Sequence, residues 1–156
     1  MSELPTAHCP RCAHAGLSLD TVTVKALLAR SLADVTARAY RFCPTPTCPV
    51  VYFAGDSDQT FGTRDVREVV YQKAPDDPAV FVCYCFRYTR GQLAAAAHQG
   101  AGQAIIAAIT AGIKAGACAC DLRNPQGACC LGNVRARLHA PPNQTEDASA
   151  ADGCSG

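Results

Sequence analysis

The sequence contains no tryptophan, no long hydrophobic run and no run of basic residues, and each absence excludes a class of protein. Aromatic residues make up only 6% of the chain, so any hydrophobic core is thin. The most apolar stretch, residues 104–113, is well short of the roughly 20 residues that a membrane-spanning helix needs, which excludes membrane insertion. Lysine and arginine are scattered and the formal net charge is +1, so no basic patch for nucleic acid or anionic lipid is expected.

The beginning of the sequence also lacks the features of a secretory signal. Residues 1–8 contain neither a basic n-region nor an apolar h-region. This predicts a cytoplasmic protein in a reducing environment. In that environment, clustered cysteines are typical of metal ligands or redox groups rather than of disulfides.

Cysteine, by contrast, is abundant, with 11 residues in a chain of 156. All but Cys154 occur in tight pairs. Two cysteines separated by one to about four residues can turn both sulfurs toward one ion, whereas disulfide frameworks usually join distant positions. The odd total also leaves one thiol unpaired in any all-disulfide scheme. The pairs therefore predict metal binding, and they are Cys9 with Cys12, Cys43 with Cys48, Cys83 with Cys85, Cys118 with Cys120, and Cys129 with Cys130.

The spacing of these pairs predicts an α+β protein of two small modules. Residues 1–78 are predicted to form a zinc-stapled β/α module of short antiparallel strands and one helix, and residues 79–139 a small helical module that binds a [2Fe-2S] cluster. The prolines and aspartates of segment 73–78 mark the boundary. Residues 140–156 are acidic and lack apolar periodicity, which predicts a disordered tail. Modules this small bury little apolar surface and need metal as a staple.

In the first module, apolar spacing predicts one helix over residues 23–32, with Thr21 or Thr23 as its N-cap. Runs of β-branched and aromatic residues predict strands on both sides of the second cysteine pair, and a further strand before the boundary. The predicted strands are residues 39–42, 50–53 and 66–72.

In the second module, Thr89 and Gln92 fit a capping box, in which the Thr89 hydroxyl accepts from the third helical amide and Gln92 reaches back. The helix that they open is predicted to run to His98. Gly100 and Gly102 form a helix–helix turn rather than a dinucleotide-binding loop, because a third glycine and a preceding strand are missing. Two more helices are predicted, at residues 103–113 and 131–138.

Two cysteine pairs in proline-containing turns predict a closed metal site in the first module. Each pair can supply two legs of a tetrahedron, and four thiolates with no open position are typical of structural zinc. Mononuclear iron fits the same ligands. His8 and His14 are interpreted as solvated neighbours, because four thiols already complete the site. The predicted zinc ligands are Cys9, Cys12, Cys43 and Cys48.

The second module contains a pair, Cys83 and Cys85, that is too tight for an ordinary zinc knuckle. It suits an iron–sulfur cluster, in which thiolates bind irons that also carry bridging sulfides, and such a site is redox-active. Cys118 is surplus, and Cys130 is favoured over Cys129 because it directly precedes the last helix, where the helix dipole favours a thiolate. The predicted [2Fe-2S] ligands are Cys83, Cys85, Cys120 and Cys130, with Cys129 as the alternative to Cys130.

Together these motifs resemble the N-terminal domain of the archaeal CopZ-type, two-domain copper chaperone family. The second half also resembles the [2Fe-2S] domain of the bacterioferritin-associated ferredoxin type. The resemblance implies zinc on the first cysteine set, a [2Fe-2S] cluster on the second, and a role in copper handling that includes reduction of Cu(II) to Cu(I). The matching motifs are Cys-Pro-Arg-Cys at 9–12, Tyr-Arg-Phe-Cys at 40–43, Cys-Pro-Val-Val-Tyr-Phe at 48–53, Cys-Tyr-Cys at 83–85 and Asn-Pro-Gln-Gly-Ala-Cys-Cys at 124–130.

Members of that family continue into a ferredoxin-like domain with a Met-x-Cys-x-x-Cys loop, and this sequence contains no such loop. The leading hypothesis is an electron-transfer or metallochaperone-type protein, rather than a turnover enzyme, that donates electrons to a metal ion or a partner protein. Thiols outside both sets, namely Cys118, Cys129 and Cys154, are expected to hold Cu(I) transiently, because Cu(I) favours soft ligands.

Two alternatives remain open. One is a non-redox, zinc-stapled protein-interaction module, and the other is a small thiol reductase that uses Cys118 or Cys129. Under the leading hypothesis the expected partners are copper ions, a redox partner protein, and a copper transporter or separate copper chaperone on which the protein docks.

Overall fold

A computed structural model describes residues 8–37, 39–55 and 59–139. The chain divides into two compact units. The first unit comprises the chain up to Pro75 together with Asp121–Gly127, and the second comprises Asp76–Cys120 and the chain from Ala128 onward. The predicted acidic tail and Cys154 lie outside the described residues.

The first unit contains a four-stranded antiparallel sheet whose strands lie in chain order. The second and third strands confirm the strands predicted around the cysteine turn, and the third is buried along its whole length. The two outer strands were not predicted, because Leu17–Leu19 and Thr60–Gly62 lack the runs of β-branched and aromatic residues that mark β2 and β3. The strands are β1 (Leu17–Leu19), β2 (Tyr40–Phe42), β3 (Val50–Ala54) and β4 (Thr60–Gly62).

The helix of the first unit, α1 (Thr21–Leu27), begins earlier than predicted. Its N-cap is Asp20, whose carboxylate accepts a hydrogen bond from the Val22 amide at 3.2 Å. Both predicted caps, Thr21 and Thr23, are therefore wrong. Aspartate is as good an N-cap as serine or threonine, and here it directly follows β1.

The strand predicted over residues 66–72 is wrong, and α1 ends before the predicted residue 32. One backbone contact explains both differences. Leu28 and Val66 form an isolated antiparallel bridge, beside which the Arg67 amide donates to the Leu27 carbonyl at 2.8 Å. The bridge uses backbone groups that a longer helix would have paired internally. One short 3-10 helix, Thr63–Asp65, precedes the bridge, and another, Tyr71–Lys73, overlaps the end of the predicted strand.

The main core of the first unit is formed by one face of α1 and the aromatic side chains of the sheet. A smaller buried cluster lies beside it and consists of three cysteines with Val50 and Phe53. The main core includes Val24, Leu27, Leu28, Tyr40, Phe42, Val51, Tyr52, Phe61, Val66 and Val70.

Segment Asp121–Gly127 belongs to the first unit although it comes late in the sequence. The buried hydroxyl of Tyr52 donates to the Pro125 carbonyl at 2.6 Å. The side-chain amide of Gln72 donates to the side-chain oxygen of Gln126. These hydrogen bonds join the segment to residues that precede it by 50 positions or more.

The second unit is mainly helical, as predicted. The capping box is confirmed, because the Gln92 amide donates to the Thr89 hydroxyl at 3.1 Å and the Thr89 amide donates to Gln92 Oε1 at 2.8 Å. Its helices are α2 (Arg90–His98), α3 (Gly102–Lys114) and α5 (Leu131–His139). The short helix α4 (Cys120–Arg123) begins at Cys120 of this unit, and its other residues belong to the Asp121–Gly127 segment of the first unit. All three predicted helices are present, and among the described residues no helix is long and apolar enough to cross a bilayer.

The second unit also contains a small hairpin that the sequence did not predict. Its antiparallel strands are β5 (Phe81–Cys83) and β6 (Tyr88–Thr89). Arg87 has φ of 67° in the connecting turn, and its guanidinium carbon lies 3.8 Å from the centre of the Phe81 ring. The hairpin carries Cys83 and Cys85 into the unit.

We predict that Tyr52→Phe lowers the free energy of unfolding by about 1–2 kcal/mol, because the buried Pro125 carbonyl loses its donor. Urea denaturation followed by far-UV circular dichroism measures the change. Tyr88→Phe is the matched control, since the Tyr88 hydroxyl makes no hydrogen bond within the described part of the chain. Equal stability of the two variants would contradict the prediction.

Candidate metal centres

Four cysteine thiols of the first unit converge. All four sulfurs lie within 4.8 Å of one another, with 3.6 Å between Cys12 and Cys43 and 3.9 Å between Cys9 and Cys48. A zinc–sulfur bond of about 2.3 Å in a tetrahedron implies sulfur separations of about 3.8 Å. Cys12 is half-buried and the other three are buried. The set therefore fits a closed Zn²⁺ site.

The first pair lies in a tight turn at the start of the described chain. The Arg11 amide donates to Cys9 Sγ at 3.4 Å, and the Ala13 amide donates to the Cys9 carbonyl at 2.8 Å. Ala13 has φ of 66°, a left-handed conformation that costs about 1–2 kcal/mol for a residue with a β-carbon. The turn that directs both sulfurs to one side therefore contains one residue in an unfavourable backbone conformation.

The second pair is presented by the β2–β3 connection. Cys43 directly follows β2, and its amide donates to the Val51 carbonyl at 2.8 Å; the Cys48 amide donates to the Thr45 carbonyl at 3.2 Å. The hydroxyl of Thr45 is also hydrogen bonded to Cys12 Sγ, at 3.3 Å. The turn therefore positions its own thiols and contacts one thiol of the first pair.

The ionisation of these thiols is mutually dependent. Burial opposes ionisation of Cys12, but hydrogen bonds with Thr45, His14 and Cys43 outweigh it and lower the pKa to about 5. Burial raises the pKa of Cys43 to about 12 and raises the pKa of Cys48. The Cys12 thiolate thus forms readily, whereas the Cys43 and Cys48 thiols need a cation before they release their protons.

The second unit brings the four predicted cluster ligands into one group. Cys85 Sγ and Cys120 Sγ are 3.6 Å apart. The Cys130 thiol lies close enough to the Cys83 and Cys120 thiols to lower the pKa values of both. The sulfur contacts therefore form a chain from Cys83 through Cys130 and Cys120 to Cys85. Cys85 is half-buried and the other three are buried.

Two backbone amides of the second unit donate to sulfurs of this group. The Phe86 amide lies 3.4 Å from Cys83 Sγ, and the Ala119 amide lies 3.2 Å from Cys85 Sγ. Hydrogen bonds of this kind stabilise negative charge on thiolates and tune the metal that they bind. The hairpin and the turn before α4 thus supply both the sulfurs and their amide donors.

The pKa values in this group alternate along the chain of contacts. Hydrogen bonds from Cys130 and Cys85 lower the pKa of Cys120 to about 3, and the hydrogen bond from Cys130 lowers the pKa of Cys83. The pKa values of Cys85 and Cys130 are raised, because each shares its hydrogen with Cys120. Four thiolates at this spacing repel one another unless a cation is bound.

Cys129 and Cys130 have different surroundings. The Leu131 amide, the first of α5, donates to Cys129 Sγ at 3.4 Å. The first amide of α5 therefore contacts Cys129, whereas the Cys130 sulfur joins the chain of contacts, and the choice of Cys130 over Cys129 stays a prediction. Cys129 is buried and disulfide-bonded, and Cys118 is a half-buried free thiol.

Sequence analysis missed three side chains that touch the first set of sulfurs. Thr45 and His14 are hydrogen bonded to Cys12, and the Lys73 ammonium lies 3.6 Å from Cys43 Sγ. Thr45 lies within the second cysteine turn but was given no role, and His14 was interpreted as a solvated neighbour. No local pattern signals Lys73, which is 30 residues from Cys43.

The geometry and a family comparison define the class of the first unit as a zinc-binding domain. Residues 6–67, which include all four converging cysteines, match the model of a family described as a zinc binding domain of the CopZ type. The zinc half of the expected resemblance is thereby confirmed, whereas the [2Fe-2S] half stays a prediction.

Individual relatives extend the similarity beyond this domain. The chain is 32% identical over 123 residues to the copper chaperone CopZ of Archaeoglobus fulgidus, a match that covers 78% of this chain and 57% of that protein. The chain thus spans just over half of that relative's length. It is also similar to the X-ray structure of the Archaeoglobus fulgidus CopZ N-terminal domain, with a TM-score of 0.69 and 29% identity over 86% of this chain and 98% of that one.

We predict that Cys43→Ser abolishes stoichiometric zinc binding and unfolds the first unit, because a buried ligand is lost from a domain with a thin core. The melting temperature should fall by on the order of 10 °C or more, since about 1 kcal/mol corresponds to roughly 4–8 °C in a domain of this size. Elemental analysis and thermal denaturation measure the two effects. Cys118→Ser, outside both sets, is the control. Unchanged zinc content and melting temperature in Cys43→Ser would remove the claim.

Proposed function

We propose that the chain is an iron–sulfur and zinc protein that transfers electrons in the handling of metal, with copper as that metal. Zinc on the first cysteine set stabilises the first unit. A [2Fe-2S] cluster is held by the second set, Cys83, Cys85, Cys120 and Cys130. The observation that carries the proposal is the chain of contacts among these four thiols, three of which are buried.

The arrangement of the second set favours a binuclear cluster over a single ion. One tetrahedral ion needs all of its ligand sulfurs close to one another, as the first set has them within 4.8 Å. The second set, whose members are all described, does not meet that limit. Two irons joined by bridging sulfides need only one close pair of thiolates each, and Cys85 with Cys120 at 3.6 Å is such a pair.

When bound, a [2Fe-2S] cluster exchanges one electron, so that its reduced form can convert one Cu(II) ion to Cu(I). The residues around it have separate tasks. The amides of Phe86 and Ala119 stabilise charge on Cys83 and Cys85. Cys85 is the half-buried member of the set, so electrons enter and leave most readily beside it.

Copper is proposed as the metal on the strength of similarity and of thiol chemistry. The curated relative is named a copper chaperone. The half-buried free thiol of Cys118 offers the soft ligand that Cu(I) favours. The proposed partners are copper ions and a redox partner protein, with docking to a copper transporter or to a separate copper chaperone.

We predict that Cys→Ser replacement at each proposed cluster ligand removes or shifts the visible absorption and the electron paramagnetic resonance signal of the reduced protein, because oxygen replaces a thiolate on iron. Anaerobically purified or reconstituted protein is the sample. Cys118→Ser should retain both signals. A colourless protein that contains only zinc would support the non-redox interaction module instead.

The same series tests the choice between the adjacent cysteines. Cys130→Ser should lose the cluster and Cys129→Ser should retain it, because only the Cys130 sulfur joins the contacts with Cys83 and Cys120. The opposite result would assign the ligand to Cys129.

We predict that reduced protein, mixed with Cu(II) and a Cu(I)-specific chelator, forms one Cu(I) for each electron that the cluster loses. Stopped-flow absorption follows cluster oxidation and Cu(I) formation together. Oxidation of the cluster without matching Cu(I) would reduce the proposal to electron transfer toward another acceptor.

A further inference from the structure

Lys73 places an ammonium group directly against the first set of sulfurs. Its Nζ donates to the Thr45 carbonyl at 2.6 Å and lies 3.6 Å from Cys43 Sγ. The residue ends the short 3-10 helix Tyr71–Lys73, and its amide donates to the Val70 carbonyl at 3.0 Å. Lys73 is half-buried. Hydrogen bonds therefore hold Lys73 in place at both its backbone amide and its side-chain ammonium group.

The charge of the zinc site explains why a cation is needed there. Zinc with four thiolates carries a net double negative charge, and three of the four ligands are buried. A buried charge without a partner is strongly unfavourable. The positive charge of the Lys73 ammonium lies 3.6 Å from the Cys43 sulfur, close enough to attract a thiolate strongly. Lys73 thus stabilises the thiolate form that binds the metal.

We infer that Lys73 is a positioning residue of the zinc centre, which neutralises part of the charge of the Cys43 thiolate and slows the loss of zinc. The inference goes beyond the proposed function, because it concerns the first unit alone and holds whether or not the second unit binds a cluster. It does require zinc on the first set. Failure of the cluster experiments therefore leaves it unaffected.

The experiment compares charge with hydrogen bonding at position 73. Lys73→Gln keeps a donor for the Thr45 carbonyl but removes the charge, Lys73→Met keeps the stem alone, and Lys73→Arg keeps the charge. Lys25→Gln is the matched control, because Lys25 is an exposed lysine of α1 in the same unit. The full chain, loaded with zinc, is mixed with a chromophoric chelator, and the rate of zinc transfer is measured.

We expect the two uncharged variants to lose zinc about tenfold to a hundredfold faster, as is typical when an outer partner of a metal ligand is removed. Lys73→Arg and Lys25→Gln should stay close to the rate of the unchanged protein. Far-UV circular dichroism identifies the variants that fold, and either uncharged variant is sufficient for the comparison.

Cobalt substitution gives a second readout that a merely structural role would not move. Loss of the cation raises the energy of the thiolate electrons, so the sulfur-to-cobalt charge-transfer band should shift to lower energy in Lys73→Gln but not in Lys73→Arg. The inference is overturned if the uncharged variants release zinc at the original rate, or if Lys73→Arg releases it as fast as Lys73→Gln with no difference in the cobalt band.

Discussion

The convergence of four thiols on one point is the constraint on which the first unit depends. Three of them are part of a buried cluster with Val50 and Phe53, so the sulfurs occupy space that a larger domain would fill with apolar side chains. Phe53 packs so close to Gly16 that a β-carbon there would lie 2.5 Å from the ring. Only five of the ten aromatic residues of the chain lie on β2, β3 and β4, and the metal ligands complete the core of this unit.

The two cysteine sets each bring four thiols together, but they differ in how closely the sulfurs are grouped. In both, four thiolates so close together would repel one another, so that a cation is needed to hold them in that form. The first set is compact and the second is extended, and amide donors lie beside both. A compact tetrathiolate suits a single closed ion, and the extended set is the one to which the proposal assigns a binuclear cluster.

Similarity and geometry support different parts of the functional argument. The family match covers the residues of the first set, and the solved CopZ N-terminal domain is similar over most of this chain. The chain spans 57% of the length of the curated copper chaperone, so a role like that of the relative is a proposal for this protein. Within the chain, the side chains that complete the first centre, Thr45, His14 and Lys73, come from three separate stretches of sequence.

The sequence by itself determined the features that depend on neighbours within a few residues. The spacing of cysteines in proline-containing turns indicated which thiols form pairs, and the capping box of Thr89 and Gln92 located the start of α2, because both patterns act over one turn of chain. Only the tertiary structure decided the rest. The Leu28–Val66 bridge ended α1 early and replaced a predicted strand. Packing joined Tyr52 to Pro125 across 73 residues and Lys73 to Cys43 across 30, and contacts at such separations leave no local periodicity, since they arise from the packing of whole elements.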